Sequence, residues 1–130
     1  MIEALREVEV VTLFVEDLAK STSFYTDIFG LDIAYQDSNC AILKIGGLMI
    51  NVLKISEAQK LVDPATVAGA GLGSRLLFTI KVQDVNGVCE ELKNHGVSLL
   101  NGPMNRPWGR RTAAFADPAG NVWEVAQEIQ

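Results

Sequence analysis

The segments of this chain run twice through one order. In the first pass, residues 9–15 (EVVTLFV) are rich in β-branched side chains and predict a strand. Asp17 then stands where an N-cap would accept the free amides of a first helical turn. Leu18, Ser21, Tyr25, Ile28 and Phe29 recur at helical spacing, and Gly30 closes the segment where left-handed backbone is wanted. Three strand-like runs follow, residues 31–36, 40–45 and 48–54, with Gly46-Gly47 as a hairpin turn between the last two. In the second pass, residues 75–82 (RLLFTIKV) predict a strand and Asp84 a cap. Val85, Val88, Cys89 and Leu92 then form a helical stripe ended by Gly96. Residues 97–100 are a strand candidate and residues 101–108 a loop. Residues 110–116 and 121–128 are then strands joined by Asp117-Pro118-Ala119-Gly120. Asp first, Pro second and Gly fourth is the pattern of a type I turn.

Placing Asp17 on Asp84 sets Thr12 on Thr79 and Val15 on Val82, and placing Gly47 on Gly120 sets Asn51 opposite Glu124. Few identities survive, so the repeat lies in the order of elements more than in letters. The prediction is an α+β protein of two β-α-β-β-β modules, residues 8–55 and 75–130, within one domain spanning residues 1–130. Residues 56–74, with Pro64 and the small-residue tract 68–73, are predicted to be a linker. The GAGLGS glycines spell part of a nucleotide-binding pattern, but no strand leads into them and no helix follows, so they belong to that linker.

Composition removes several function classes. With 11 basic against 16 acidic residues, the chain carries a formal charge of −5, which argues against a nucleic acid partner. No apolar run reaches the roughly 20 residues of a membrane span, and no charged-then-apolar leader opens the chain. Cys40 and Cys89 form no CxxC, so reduced thiols in the cytoplasm are expected. His95 is the one histidine, which excludes any site needing two or three. It sits at a helix end, where it favours the helix dipole more than catalysis. No Ser-His-Asp, Cys-His or phosphate-loop constellation can be assembled, so no catalytic residue is predicted.

The duplicated layout, with VVTLFVEDLAKSTSFYTDIFGLDI near the start, VQDVNGVCEELKNHGV in the second helix and NGPMNRPWGRRTAAFADPAGNVWEVAQ at the end, covers nearly the whole chain. It resembles the vicinal oxygen chelate superfamily of glyoxalases, extradiol dioxygenases and bleomycin-resistance proteins. The resemblance implies that each module curls its sheet around a concave ligand face. It also implies four metal-ligand positions, which here hold Val10, Asn51, Leu77 and Glu124. Valine and leucine have no lone pair to offer, the amide oxygen of asparagine is a weak neutral donor, and one carboxylate does not hold a catalytic transition metal. No metal and no other cofactor is therefore expected, and the family's Lewis-acid chemistry is expected to be absent.

Alternation along the strands predicts the face turned to a ligand. If Val10 points inward, so do Thr12 and Phe14, and by the same parity Met49, Asn51, Leu53, Leu77, Thr79, Val122 and Glu124. That set is mostly apolar with a few polar points, as small-molecule pockets are, although a plain collapsed core would have the same pattern. Trp108, between Pro107 and Gly109, is either a stacking platform for a ligand or an edge cap over the core. Glu124 needs a partner if buried, which a cationic ligand or Arg111 could supply. Arg106, Arg110 and Arg111 cluster around Trp108 and could equally favour an anionic group on the ligand.

The leading prediction is a metal-independent small-molecule-binding protein of the bleomycin-resistance type, working by stoichiometric capture of a hydrophobic ligand that can be cationic. The alternatives are a glyoxalase- or dioxygenase-like enzyme with an atypical metal site and a non-catalytic accessory subunit. Exposed sheet edges and the habit of the family predict a homodimer, with no nucleic acid or membrane partner.

Overall fold

The computed structural model describes residues 2–129 of the chain. These fall into two compact units that meet in the chain between Leu72 and Gly73.

In the first unit, β1 (Val10–Val15) leads into α1 (Leu18–Asp27), followed by β2 (Ile33–Gln36), β3 (Cys40–Ile45) and β4 (Leu48–Lys54). The sheet order is β1-β4-β3-β2, with β1 and β4 parallel and the other pairs antiparallel. Asp17 caps α1 as predicted, its carboxylate accepting from the Lys20 amide at 3.0 Å. Beyond the helix, Gly30 takes a φ of 68°, which a residue with a Cβ rarely adopts. The face of the sheet under α1 buries Leu13, Val15, Ala41, Leu43, Ile50 and Val52, and Ser21 and Tyr25 are the buried residues of the helix. Tyr25 packs its ring against Phe24 and Phe29, with centroids 5.3 and 5.1 Å away.

The second unit repeats the plan with β5 (Phe78–Lys81), α3 (Val85–Asn94), β6 (Leu99–Arg106), β7 (Arg110–Ala116) and β8 (Val122–Glu128), in the order β5-β8-β7-β6. Asp84 caps α3 through the Gly87 amide at 3.1 Å, and Gln127 Oε1 accepts the Val85 amide at 2.8 Å. Val85, Cys89 and Leu92, three of the four predicted stripe residues, are its buried side. Between β7 and β8 the Asp117 carboxylate accepts the amides of Ala119 and Asn121 and the side-chain amide of Asn121, at 2.8 to 2.9 Å. Satisfying three donors at once, a buried carboxylate holds this turn shut.

Three expectations are corrected. The predicted strand at residues 75–82 begins only at Phe78, leaving Leu76 and Leu77 outside it and half exposed. The predicted loop at residues 101–108 is mostly strand, since β6 runs to Arg106. It has two register shifts, between Leu99 and Asn101 and between Asn101 and Met104, and the second spans Gly102-Pro103. A proline has no amide to donate, and β6 is an edge strand, where none is required. Finally, the predicted linker contains α2 (Gln59–Val62) between two 3-10 turns, Ile55–Glu57 and Ala70–Leu72, and Ala58 within it is fully buried.

Among the described residues, no helix is long and apolar enough to cross a membrane. Both cysteines are free thiols. Burial pushes the Cys89 thiol up, as it does Cys40, where the Asp37 charge adds to the effect. Asp37 is held below the usual carboxylate range, first by the Tyr35 hydroxyl at 2.7 Å and then by the amides of Asn39 and Cys40. A carboxyl lowered in this way contributes stability above its unfolded pKa and loses that contribution as pH falls through its folded value.

Candidate functional site

Each sheet has one face under its helix and one face turned away from it. On the first sheet the away face is set by register: Val10 pairs with Met49, Thr12 with Asn51 and Phe14 with Leu53. On the far side of β4, Asn51 stands opposite Ile42 and Leu53 opposite Cys40. All six predicted residues of this unit thus share one face. Leu53 is buried, while the other five are partly exposed. Asn51 Oδ1 is buried with no hydrogen-bond partner among the described residues. An unmet buried acceptor costs about 1–3 kcal/mol, and a donor placed beside it removes that cost.

On the second sheet, Thr79 pairs with Glu124, Glu124 with Ala114, and Ala114 with Asn101, a row across all four strands. The Thr79 hydroxyl donates to Glu124 Oε1 at 3.0 Å. Val122 lies two residues before Glu124 on the same face of β8. Thr79, Val122 and Glu124 are therefore brought together as predicted. Leu77 is not placed by this alternation, because it lies before β5 begins.

Arg111 is on the other face. It pairs with Gln127, whose side chain caps α3, and its Nε donates to Asn86 Oδ1 of that helix at 3.0 Å. Its Nη1 donates to Asn105 Oδ1 at 3.0 Å. The ion pair with Glu124 that the sequence left open is therefore not formed. Three residues separate Arg111 from Ala114, the neighbour of Glu124, and an odd spacing on a strand changes face. Among the described residues, no cation is paired with Glu124.

Trp108 lies at the tip of the β6–β7 hairpin, 67% exposed, so it does not cap the core. The Arg106 guanidinium carbon is 5.8 Å from its ring centroid. Arg106 also donates from Nε to the buried Thr112 hydroxyl at 2.9 Å and from Nη2 to Asn101 Oδ1 at 3.4 Å. Both acceptors lie on the face that carries Glu124, since Ala114 pairs with Asn101 and stands two residues from Thr112. Arg106, named from the sequence for its place near Trp108, is thus joined on this face by Asn101 and Thr112, which the sequence did not single out. A usable signal was present. The Asp117–Gly120 turn fixes Ala116 opposite Val122, and from there the faces of Thr112, Ala114 and Arg111 follow by counting.

Each unit also has a groove on its helix side. One, of about 780 Å³, lies between α1 and the β2–β3 edge, with Asp17, Asp37, Cys40 and Lys54 among its walls. The other, of about 520 Å³, lies between α3 and β6. None of the predicted site residues lines either groove.

The residues at the four implied metal positions do not suit a transition metal. Val10 and Leu77 supply no donor atom, Glu124 is engaged by Thr79, and Asn51 offers a neutral oxygen. Among the described residues, no group of three or more His, Cys, Asp or Glu side chains could hold a metal ion.

Two β-α-β-β-β units, each with one sheet face free of its helix, define a paired-module fold of the glyoxalase type. The chain belongs to the Glyoxalase/Bleomycin resistance protein/Dioxygenase superfamily, whose model matches residues 7–125. The protein YraH of Bacillus subtilis is 31% identical over 88% of this chain and 93% of its own. The metallothiol transferase FosB of Staphylococcus haemolyticus is 26% identical over 93% of this chain and 83% of its own. Among solved structures, a glyoxalase/bleomycin resistance protein/dioxygenase from Nocardioides superposes with a TM-score of 0.85 at 19% identity, covering 95% of this chain and 84% of that one. TnmS3, an antibiotic binding protein from Streptomyces sp. CB03234, does so with a TM-score of 0.73 at 25% identity, covering 98% and 99%.

Proposed function

We propose that this chain is a metal-independent small-molecule-binding protein. It captures a hydrophobic ligand on a sheet face turned away from its helix by stoichiometric binding, without turnover. The observation that carries the reading is Asn51. At a position where the family's enzymes hold metal, it presents a buried acceptor with no partner among the described residues, on one sheet face with Phe14, Met49 and Leu53. Such a group fits a ligand N–H or O–H better than a divalent ion, which needs anionic or imidazole donors. On the second sheet, Glu124, with a hydroxyl as its partner and no cation beside it among the described residues, suits a positive group on a ligand of that face. The likeness to an antibiotic binding protein supports capture. The likeness to a metallothiol transferase favours the second reading, an enzyme with an atypical metal site.

The reading includes a homodimer in the cytoplasm. It is supported by the edge strand β2, exposed throughout, with Ile33 and Tyr35 on its surface, and by the two free thiols. Light scattering should give twice the chain mass.

Elemental analysis separates capture from metal catalysis. Dialysed protein should retain no stoichiometric Zn, Ni, Fe or Mn, and an equimolar metal that survives dialysis would overturn the reading. Glu124→Gln keeps the shape and removes the charge. It should weaken a cationic dye about tenfold and spare its neutral analogue, as loss of a charge-assisted contact does. Equal effects on both dyes would remove Glu124 from the ligand site.

A further inference from the structure

We infer that the ligand of the second sheet is amphoteric, a flat aromatic compound with an anionic group held by Arg106 beside Trp108 and a positive group toward Glu124. This rests on the proposed capture reading and names the class of ligand.

Arg106 is a half-buried guanidinium whose contacts among the described residues are neutral: a threonine hydroxyl, an asparagine oxygen and an indole ring. The one carboxylate engaged near this edge, Glu128, is taken by Arg110 at 3.4 Å and Lys81 at 3.6 Å. The charge of Arg106 is therefore not answered by an acid among the described residues. Two hydrogen bonds fix its plane and leave N–H groups of the fork over for a ligand carboxylate, sulfonate or phenolate. Trp108 supplies an exposed aromatic surface next to that fork. With a guanidinium already against the indole, a second cation there would meet like charge, whereas a ring carrying an anionic group would be favoured by it. Net charge of −5 on the chain makes general attraction of anions a poor explanation for any such preference.

The spacing fits one ligand. Arg106 reaches Asn101 on β6, and Glu124 lies in the same cross-strand row on β8. Two strand spacings separate them, roughly 10 Å, about the length of a two-ring aromatic system with a substituent at each end. Between them lies Ala114, 6% exposed, whose methyl adds no polar group to the row.

Four probes of one size test this by calorimetry on the full chain: 2-naphthamide, 2-naphthoate, 2-naphthylmethylamine and 6-aminomethyl-2-naphthoate. The carboxylate should bind about tenfold more tightly than the amide, the range for a charge-assisted contact at a partly exposed site, and the amphoteric probe should bind most tightly. Arg106→Gln should abolish the advantage of the carboxylate while leaving that of the amine. Arg106→Lys, which keeps charge without the fork, should retain part of it. Trp108→Ala should weaken all four. Circular dichroism and melting of each variant separate loss of contact from loss of fold. If the amide and amine bind but the carboxylate gains nothing, or if its gain survives Arg106→Gln, the amphoteric inference falls and the capture reading stands. Failure of all four probes to bind would remove the aromatic site on this sheet altogether.

Discussion

Gly102→Ala is expected to destabilise the second unit by about 3 kcal/mol or more, among the larger effects a single methyl group can have. Gly102 has a φ of 81°, where a residue with a Cβ pays about 1–2 kcal/mol for the backbone alone. The added carbon would also clash with the carbonyl oxygen of Thr112 and stand 2.8 Å from Ala113 Cα and 3.1 Å from its Cβ. These are main-chain atoms and a short side chain in β7, which lies between β6 and β8 and cannot swing aside. Relief requires β6 to move off β7, in the segment where Arg106 reaches back to Thr112. Urea unfolding followed by the fluorescence of Trp123, 3% exposed and stacked 4.7 Å from Phe78, measures the loss. Gly71→Ala is the control, because a Cβ there meets nothing within 4 Å. A Gly102→Ala midpoint within experimental error of that control would show that β6 can shift at little cost.

The same segment marks where the sequence was hard to read. Strands β3, β4 and β7 have the predicted bounds, because alternation and flanking turn residues agree over each of them. Both helix caps were legible for a local reason: Asp17 and Asp84 bind amides three residues on, and nothing distant can alter that. Gly102-Pro103 has the opposite character. Locally it signals a break, and only the position of β6 at the sheet edge allows the strand to continue through it. Strand β5 was over-extended because Leu76 and Leu77 look like core residues, whereas their burial depends on neighbours that alternation does not reveal. The partner of Glu124 was left open between Arg111 and a ligand, since a basic residue near Trp108 in sequence can lie on either face of its strand. Ala58 shows the same limit in the segment read as linker, where nothing in the local composition indicates a fully buried methyl.

Tyr25→Ala should be the most damaging change in the first unit, costing about 3–5 kcal/mol, the range for deleting a buried aromatic ring. Tyr25 is completely buried and meets Phe24 edge-on and Phe29 at a tilt, the three rings forming one cluster. The α1 side of the sheet offers Val15, Leu43 and Val52, all equally inaccessible, so the lost ring would leave a cavity among close-packed side chains. Tyr25→Phe keeps the ring and should lose far less. Hydrogen exchange at Leu43 and Val52 is the appropriate readout, since both tryptophans lie in the other unit. The consequence should extend to the ligand face through β4. That strand turns Ile50 and Val52 toward α1 and Asn51 and Leu53 away from it, so packing beneath α1 holds the register that aims the Asn51 oxygen. A partly loosened first unit should therefore capture ligand poorly even where it remains folded. Ligand affinity in Tyr25→Ala that equals wild type at a temperature well below its melting point would show that the away face is held by β1 and β3 alone.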